Sequence, residues 1–373
     1  MIDTFLGGLS PRRFLDEYWQ KKPLLVRQAI PGFTGVVSRE RLFELACDPD
    51  VESRWVRHDG DTWEVEHGPQ RPGRLRGKRT PWTVLVQGMN LWEAAADELL
   101  HCLDFIPQAR LDDLMVSYAV DGGGVGPHFD NYDVFLIQGM GKRRWRIGDQ
   151  SDHQLVEGAP LRILKNFQPI HDWVLETGDL LYLPPHWAHD GIAIGECMTH
   201  SIGFRTPTAQ EVGAGFLDWL HEHTCLDGVY ADPDLAAQDN SARIPEAMID
   251  QVDAMLRQIC WDRDAVAGFL GEYLTEPKAH VFFDPPEKPL APARFAQRVE
   301  KSGFRLDARS VLLFHGGRFF LNGESVDAPA AAHATLQRLA HARRLPAGGA
   351  LDPAVLALLH AWYRDGYGHP GTD

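Results

Sequence analysis

Two segments, far apart in the chain, carry histidines and an aspartate at the ends of short runs of β-forming residues. The first reads Gly122-Gly123-Gly124-Val125-Gly126-Pro127-His128-Phe129-Asp130, and the second reads Gly178-Asp179-Leu180-Leu181-Tyr182-Leu183-Pro184-Pro185-His186-Trp187-Ala188-His189. Side chains two residues apart on a strand lie on one face, about 7 Å apart along it, so a turn or bulge lets positions 128 and 130 reach one ion. This spacing suits a β scaffold in which a separate strand supplies a third ligand from across a barrel.

The residue types in these segments indicate iron chemistry. Two imidazoles and one carboxylate form the facial triad that holds non-haem Fe(II) and leaves positions open for O₂ and a co-substrate. His-x-Asp alone is a weak motif, and a histidine after two prolines is more often a surface residue. His186 therefore competes with His189 as the third ligand. His189 is favoured because Asp190-Gly191 and the apolar run 192–194 follow it, as if it opened a strand.

The chain resembles a JmjC-type, Fe(II)- and 2-oxoglutarate-dependent oxygenase of the bacterial ribosomal-oxygenase branch. The resemblance covers nearly the whole chain, and its most specific motifs lie in the first 205 residues, at 14–24, 122–138, 139–146, 181–191 and 201–205. It implies that the catalytic iron is bound by His128, Asp130 and His189. It also implies that Arg143, in Gly139-Met140-Gly141-Lys142-Arg143, binds the far carboxylate of 2-oxoglutarate.

The alternation around Arg143 supports an inward-facing arginine. Cations alternate with other residues after Gly141, so that one face carries Arg143, Trp145 and Ile147 and the other carries Lys142, Arg144 and Arg146. An arginine on an apolar face needs an acid to pair with, and a dicarboxylate would match its fork in a bidentate way. If the glycine-rich turn shifts the parity, the run is instead a solvated face.

Two small polar residues on the last core strand are candidate neighbours of the co-substrate. Thr199 and Ser201 share one face of this strand by their spacing of two. Their hydroxyls could donate hydrogen bonds to 2-oxoglutarate, although such residues on strands usually only pack. The residues Asp121, Tyr132 and Asp133 lie near the first motif and are candidates for the pocket of a cationic substrate.

Charge and cysteine content limit the partners. Residues 281–373 carry 11 Lys and Arg against 9 Asp and Glu, a formal charge of +2. The whole chain has a net charge of −15, so residues 1–280 carry −15 − 2 = −17. An acidic catalytic part repels nucleic acid and attracts a basic partner such as a ribosomal protein. Five scattered cysteines without a Cys-x-x-Cys argue against a disulfide framework. No signal peptide and no membrane span are recognised, so we expect a cytoplasmic protein.

Patterning predicts an α+β chain of three domains. Residues 1–206 contain many short strands with glycine and proline turns, which is typical of a cupin-like double-stranded β-helix, the JmjC barrel. Residues 207–283 carry three amphipathic helices, which the resemblance makes a dimerisation domain; packing against the barrel is an equal alternative. After the proline-rich stretch 284–292, residues 284–373 mix helices and hairpins in a winged-helix-like domain, without the strongly basic surface of a DNA-binding module.

The expected activity is hydroxylation of a protein by Fe(II), O₂ and 2-oxoglutarate. What the resemblance implies for substrate is an arginine, hydroxylated at Cβ, in the sixteenth protein of the large ribosomal subunit. The expected partners are this basic protein and a second copy of the chain, with neither a membrane nor a specific DNA site. A histidyl hydroxylase or demethylase would keep the same metal site. A cupin isomerase would not need Arg143 or 2-oxoglutarate. A non-enzymatic ligand-sensing regulator with a DNA-binding C-terminal part would show salt-sensitive DNA binding and no turnover.

Overall fold

The computed structural model describes residues 2–60, 62–77 and 80–371. The chain divides into two compact units. The first contains residues 1–206 together with 280–283 and 307–309, and the second contains 207–279, 284–306 and 310–373. Within the described residues no helix is both long and apolar enough to cross a membrane.

The first unit is built on an antiparallel sheet of nine strands. Neighbouring strands follow the order β1-β8-β6-β9-β5-β4-β2-β3, and β7 also pairs with β6. The predicted hairpin around Asp59-Gly60 is present as β2 and β3. The strands are β1 (Leu24–Val26), β2 (Ser53–Asp59), β3 (Thr62–His67), β4 (Trp82–Val86), β5 (Leu111–Ala119), β6 (Val134–Gly148), β7 (His171–Glu176), β8 (Leu180–Leu183) and β9 (Ala188–Phe204).

Two long strands connect the two ends of the barrel. The first half of β6 pairs with β8 and its second half with β7, while β9 runs beside both halves. The register between β6 and β9 shifts twice, between Gln138 and Met140 and between Met140 and Lys142. Gly141 lies in the left-handed region at this bulge, and a Cβ there would be 2.1 Å from the carbonyl oxygen of Glu196. The bulge therefore needs glycine, and it bends β6 so that its two halves serve different neighbours.

Helices at the N-terminus cover the outer face of the sheet. Ser10 before Pro11 predicts a helix N-cap, and Ser10 caps α2 by accepting a hydrogen bond from the Arg13 N–H. Phe14 on this helix is buried against Phe135 and Tyr182. The leucines between Met89 and Phe105 predict a single helix, but the structure has a short 3₁₀ turn at Met89–Leu91 followed by α4. The helices of this unit are α1 (Ile2–Phe5), α2 (Pro11–Glu17), α3 (Arg39–Ala46) and α4 (Ala94–Leu100).

The second unit begins with the three expected helices, α5 (Ala209–His223), α6 (Glu246–Leu256) and α7 (Arg263–Thr275). Thr208 and Glu211 form a capping box at the start of α5. Helix α6 has no buried residue, whereas α7 packs on the C-terminal strands through Gly271, where a Cβ would be 2.3 Å from the Phe320 ring. The three-domain division, with its boundary at 283, remains a prediction.

The C-terminal part has its own apolar core of helices and two three-stranded sheets. The predicted helices and the hairpin around His315-Gly316-Gly317 are present, and the sheet β14-β10-β15 was not predicted. The elements are α8 (Pro292–Ser302), β10 (Phe304–Leu306), β11 (Leu312–His315), β12 (Arg318–Leu321), β13 (Glu324–Val326), α9 (His333–Ala342), β14 (Arg344–Leu345), α10 (Pro353–Arg364) and β15 (Gly368–Pro370).

Candidate active site

The structure brings His128, Asp130 and His189 together at one end of the barrel. One ligand atom from each of the three side chains lies within 4.8 Å of the others. The backbones of His128 and His189 form an antiparallel bridge, with N···O distances of 2.9 and 2.7 Å. His189 Nε2 is 3.6 Å from an Asp130 carboxylate oxygen, and the two imidazole centroids are 4.2 Å apart. The bridge holds the residues that precede β6 next to the start of β9, so the three donors converge on one point.

Both histidines leave Nε2 free for a metal, because Nδ1 of each ring is bonded to a backbone carbonyl. Nδ1 of His128 lies 2.8 Å from the Gly126 carbonyl oxygen, and Nδ1 of His189 lies 2.9 Å from that of Trp187. A carbonyl accepts only from N–H, so Nδ1 carries the proton and Nε2 keeps a lone pair. Burial and the neighbouring His128 ring lower the pKa of His189 to about 4. A neutral imidazole is the form that binds a metal.

His186, the competing third ligand, lies outside this cluster. Its side chain is exposed and stacks with the rings of His153 and Phe129. Its backbone N–H instead donates to the Asp130 carbonyl oxygen at 2.8 Å, from a left-handed conformation with φ of 66°. His186 thus helps to hold the loop of Asp130 while its ring points to the surface.

Arg143 is a buried cation without an acid. Its side chain lies on the inner face of β6 and is 5% exposed, and Nη1 donates to the Ser117 hydroxyl at 3.2 Å. Nε and Nη2 are buried and have no hydrogen-bond partner among the residues that the structure describes. The predicted alternation is confirmed, since Arg143, Trp145 and Ile147 are all buried. Arg146, expected in water, is half-buried and pairs with Asp190 at 2.5 Å.

Thr199 and Ser201 lie on β9, next to Ser117, the residue that accepts a hydrogen bond from Arg143. Thr199 is fully buried, stands opposite Ser117 in the β5–β9 register, and donates to the Gln138 side chain at 3.0 Å. Ser201 is buried opposite Leu136 and carries no such bond. The Thr199 proton is therefore already used within the barrel, whereas the Ser201 hydroxyl is available.

The three acidic and phenolic residues near the first motif have different environments. Asp133 is fully buried and accepts from Tyr182, Gln20 and Arg110, so it joins the N-terminal segment to the sheet. Asp121 is exposed and accepts from the Gly195 N–H. Tyr132 lies beside the ligand Asp130: partial burial and the carboxylates of Asp130 and Asp113 raise the pKa of Tyr132. Of the three candidates, Tyr132 is therefore the one that the structure places next to a ligand.

Sequence reasoning missed two neighbours of this site. Ser117 is the residue that holds Arg143, and Asp113 is a buried carboxylate on β5 that accepts from the Gly88 N–H at 2.8 Å. The signal for Ser117 was its spacing of two from Met115 and Ala119 on a predicted strand. No sequence pattern pairs β5 with β6 or β9, so its proximity to Arg143 could not be deduced.

The residues present fit an iron ion and a dicarboxylate. Two neutral imidazoles and one carboxylate match the donor set of a facial triad, which leaves three positions open on an octahedral ion. The unpaired nitrogens of Arg143 match a carboxylate that enters the same barrel. Beside Arg143 the side chains are small, since Ala119, Ala193 and Cys197 form a buried cluster of their own. These features define a metal-dependent oxygenase of the JmjC type.

Comparison with known proteins gives the same class. Residues 98–212 match the JmjC domain, and residues 258–369 match the ROXA-like winged helix. The ribosomal protein uL16 3-hydroxylase of Escherichia coli is 35% identical over 95% of this chain and 96% of its own length. A ribosomal oxygenase from Escherichia coli, solved in complex with cobalt and 2-oxoglutarate, superposes with a TM-score of 0.82 at 32% identity, covering 96% of this chain and 98% of that one.

A more distant relative is a Drosophila persimilis protein named bifunctional lysine-specific demethylase and histidyl-hydroxylase, 27% identical over 54% of this chain and 30% of its own length. The identity and coverage of the Escherichia coli relative show that this chain belongs to the ribosomal oxygenases, a family of JmjC-domain, 2-oxoglutarate-dependent enzymes. The predicted fold class, a JmjC barrel followed by helices and a winged helix, is confirmed.

Proposed function

We propose that this chain hydroxylates Cβ of an arginine in a basic ribosomal protein, the sixteenth of the large subunit. The observation that carries the oxygenase chemistry is the convergence of three ligand atoms beside an unpaired, buried arginine in one barrel. The substrate is supported by the Escherichia coli relative, which is named for hydroxylation of uL16. The formal charge of −17 on residues 1–280 favours association with a basic protein.

His128, Asp130 and His189 would hold Fe(II) through the two Nε2 atoms and one carboxylate oxygen. Iron with O₂ and 2-oxoglutarate supplies the oxidation, in which one oxygen atom enters the substrate C–H bond and the other enters succinate as CO₂ leaves. The chain contributes the orientation of these ligands through the Nδ1 bonds to Gly126 and Trp187. It also buries one of the three ligands, since His189 is 3% exposed.

Arg143 would bind the distal carboxylate of 2-oxoglutarate through the two nitrogens that lack partners. A buried guanidinium without an acid is costly, and a bidentate carboxylate removes that cost. Ser201 would donate to the same ligand, while Thr199 supports it through Gln138. The barrel would thus bind the co-substrate through Arg143, which has no acidic partner among the described residues when 2-oxoglutarate is absent.

The substrate arginine would enter beside Asp113 and Tyr132. Asp113 supplies negative charge on β5, and Tyr132, which is 40% exposed, presents a phenol near Asp130. A guanidinium placed here would meet one carboxylate and one hydroxyl oxygen, both of which accept hydrogen bonds.

The helical block, which consists of α5, α6 and α7, would form a homodimer. An apolar stripe on α6 is exposed, with Ile249, Val252 and Leu256 at 49%, 38% and 58%. Leu217 on α5 and Trp261 before α7 are also more than half exposed. A helix with an apolar face and no buried residue needs a partner to cover that face. A second copy of the same chain presents the same stripe, as a two-fold interface requires.

The C-terminal part would serve protein contacts and not a DNA site. Its formal +2 over residues 281–373 is far from the basic surface that nucleic-acid binding requires. A ribosomal substrate also places the enzyme where ribosomal proteins are made, so we assign it to the cytoplasm.

The deciding experiment measures succinate and product together. The enzyme is loaded with Fe(II) without oxygen, then given O₂, 2-oxoglutarate and a panel of ribosomal-protein peptides. We expect succinate, and the gain of one oxygen atom on an arginine of the sixteenth large-subunit protein, located by fragmentation mass spectrometry. Oxygen on a histidine would instead establish the histidyl hydroxylase. No succinate with bound iron and any peptide would reject the oxygenase.

A further inference from the structure

We propose that the indole N–H of Trp145 donates a hydrogen bond to the carboxylate of 2-oxoglutarate that Arg143 binds. This inference rests on the proposed function, because it takes Arg143 as the anchor of that carboxylate. It adds Trp145 to Arg143 and Ser201 as a binding residue for the co-substrate, on the same strand as Arg143 and two residues further along.

The indole N–H of Trp145 is buried and unsatisfied. The side chain is 5% exposed, and Nε1 has no hydrogen-bond partner among the residues that the structure describes. A buried indole usually finds an acceptor, and leaving a buried donor unmade is destabilising. A buried N–H that finds no acceptor among the described residues points to an acceptor supplied by a ligand.

The Trp145 ring lies beside the residues that would hold the co-substrate. The Arg143 Cζ is 5.7 Å from the centroid of the Trp145 ring, and the His189 ring centroid is 5.9 Å from it. The indole therefore lies between the cation that would bind the distal carboxylate and a ligand of the metal. Two unsatisfied donor groups, one on Arg143 and one on Trp145, are adjacent on one inner face. A single anion could satisfy both.

The neighbouring strand is shaped to accept the indole. Trp145 stands opposite Gly191 in the β6–β9 register, and a Cβ at Gly191 would be 2.7 Å from the ring carbons. Glycine there leaves room for the edge of the six-membered ring, which a side chain at position 191 would displace. Next to it, Ala193 stands opposite Arg143 and leaves room above the guanidinium. These small residues keep the ring in place while space remains for a ligand.

The test compares Trp145→Phe with Trp173→Phe. Trp173 stands directly opposite Trp145 on β7 and stacks on His171, so its replacement changes the same layer without touching the unsatisfied donor. Both variants are loaded with Zn(II), and 2-oxoglutarate affinity is measured by calorimetry. We expect Trp145→Phe to weaken 2-oxoglutarate binding about tenfold or more, as for a lost hydrogen bond to a charged group. Zn(II) affinity, and 2-oxoglutarate binding by Trp173→Phe, should be unchanged.

A second readout follows the N–H itself. In ¹⁵N-tryptophan-labelled, Zn(II)-loaded wild type, the indole resonance that is missing from Trp145→Phe should move downfield when 2-oxoglutarate is added. An unmoved resonance, or wild-type affinity in Trp145→Phe, would overturn the inference. If Trp145→Phe does not fold, benzothienylalanine at position 145 replaces the N–H by sulfur within the same bicyclic shape. Failure of Arg143→Met to weaken 2-oxoglutarate would reject the proposed function instead.

Discussion

The barrel and the helical block are incomplete in opposite ways. Inside the barrel, Nε and Nη2 of Arg143 and Nε1 of Trp145 are buried donors without an acceptor among the residues that the structure describes. On the helical block, Ile249 and Leu256 are apolar side chains that lack cover. Each is costly in the isolated chain, the first through desolvation and the second through contact with water. In both regions the unsatisfied group indicates the chemistry of its missing partner: an anion inside the barrel, and an apolar surface on the helices.

The largest effect is expected from removing a metal ligand in the barrel. His128→Ala and Asp130→Ala each delete one of three donors, so the remaining two should not retain Fe(II). We expect metal affinity to fall more than about 100-fold, the upper figure for losing only an outer partner, and succinate production to disappear. Bound iron is measured after desalting. His186→Ala is the matched control, because its ring lies outside the cluster; loss of iron in that variant alone would contradict the assignment.

The next effect tests the unpaired interior cation. Arg143→Met keeps the length of the side chain and removes its charge, so we expect 2-oxoglutarate to bind about 100-fold more weakly, as when one partner of a buried charge pair is removed. In the absence of 2-oxoglutarate the same variant should melt at a higher temperature than wild type, because an unpaired buried charge has been removed. Calorimetric titration and thermal melts check the two expectations.

Arg144→Met provides the control for this pair of measurements. Arg144 is the next residue on β6, faces solvent and pairs with Asp172. An exposed ion pair contributes little, so its variant should keep both the wild-type affinity and the wild-type melting temperature. Equal affinity for 2-oxoglutarate in Arg143→Met and wild type would contradict the conclusion that the barrel interior lacks an anion.

The sequence predicted those features whose signals are local. The period of two after Gly141 predicted which side of β6 Arg143 faces, and the cap at Ser10 predicted where α2 begins. Its limits appear where contact is non-local. The strand pairing that brings Ser117 to Arg143 has no local pattern, and β10, β14 and β15 are too short, at two or three residues, to show alternation. Likewise, the three helices have similar sequence patterns, although α7 packs on strands and α6 has no buried residue.

A third prediction tests the exterior. Ile249→Glu with Val252→Glu places carboxylates on the exposed stripe of α6, where the second copy would bury them. Each apolar side chain buried at an interface contributes about 1.5–3 kcal/mol, so we expect the dimer dissociation constant to rise at least ~100-fold. Light scattering after size exclusion should change from dimer to monomer mass. Ala254→Glu, on the opposite side of α6 by helical spacing, should remain dimeric; a monomeric wild type would overturn the prediction.

The smallest effect concerns His200, a buried histidine whose Nε2 can accept its hydrogen bond only when the ring is neutral. His200 on β9 is fully buried, and its Nε2 accepts a hydrogen bond from the Val36 N–H at 3.2 Å. Burial lowers the pKa of His200 to about 4. The unfolded chain, with a histidine pKa near 6.5, therefore takes up a proton first as the pH falls. Stability is complete above the unfolded pKa and is lost as the pH falls from about 6.5 toward 4.

The size of this loss follows from the two pKa values. Between pH 7 and pH 5 the difference amounts to ~2 kcal/mol of unfolding free energy from this one residue. Urea unfolding at both pH values, in wild type and in His200→Gln, isolates the contribution, because glutamine cannot take up a proton in this range. We expect the wild type to lose about that much more stability than the variant on acidification. Parallel losses would mean that His200 is already protonated in the folded protein, and that the face of β9 against Phe33 and Val36 tolerates a charge.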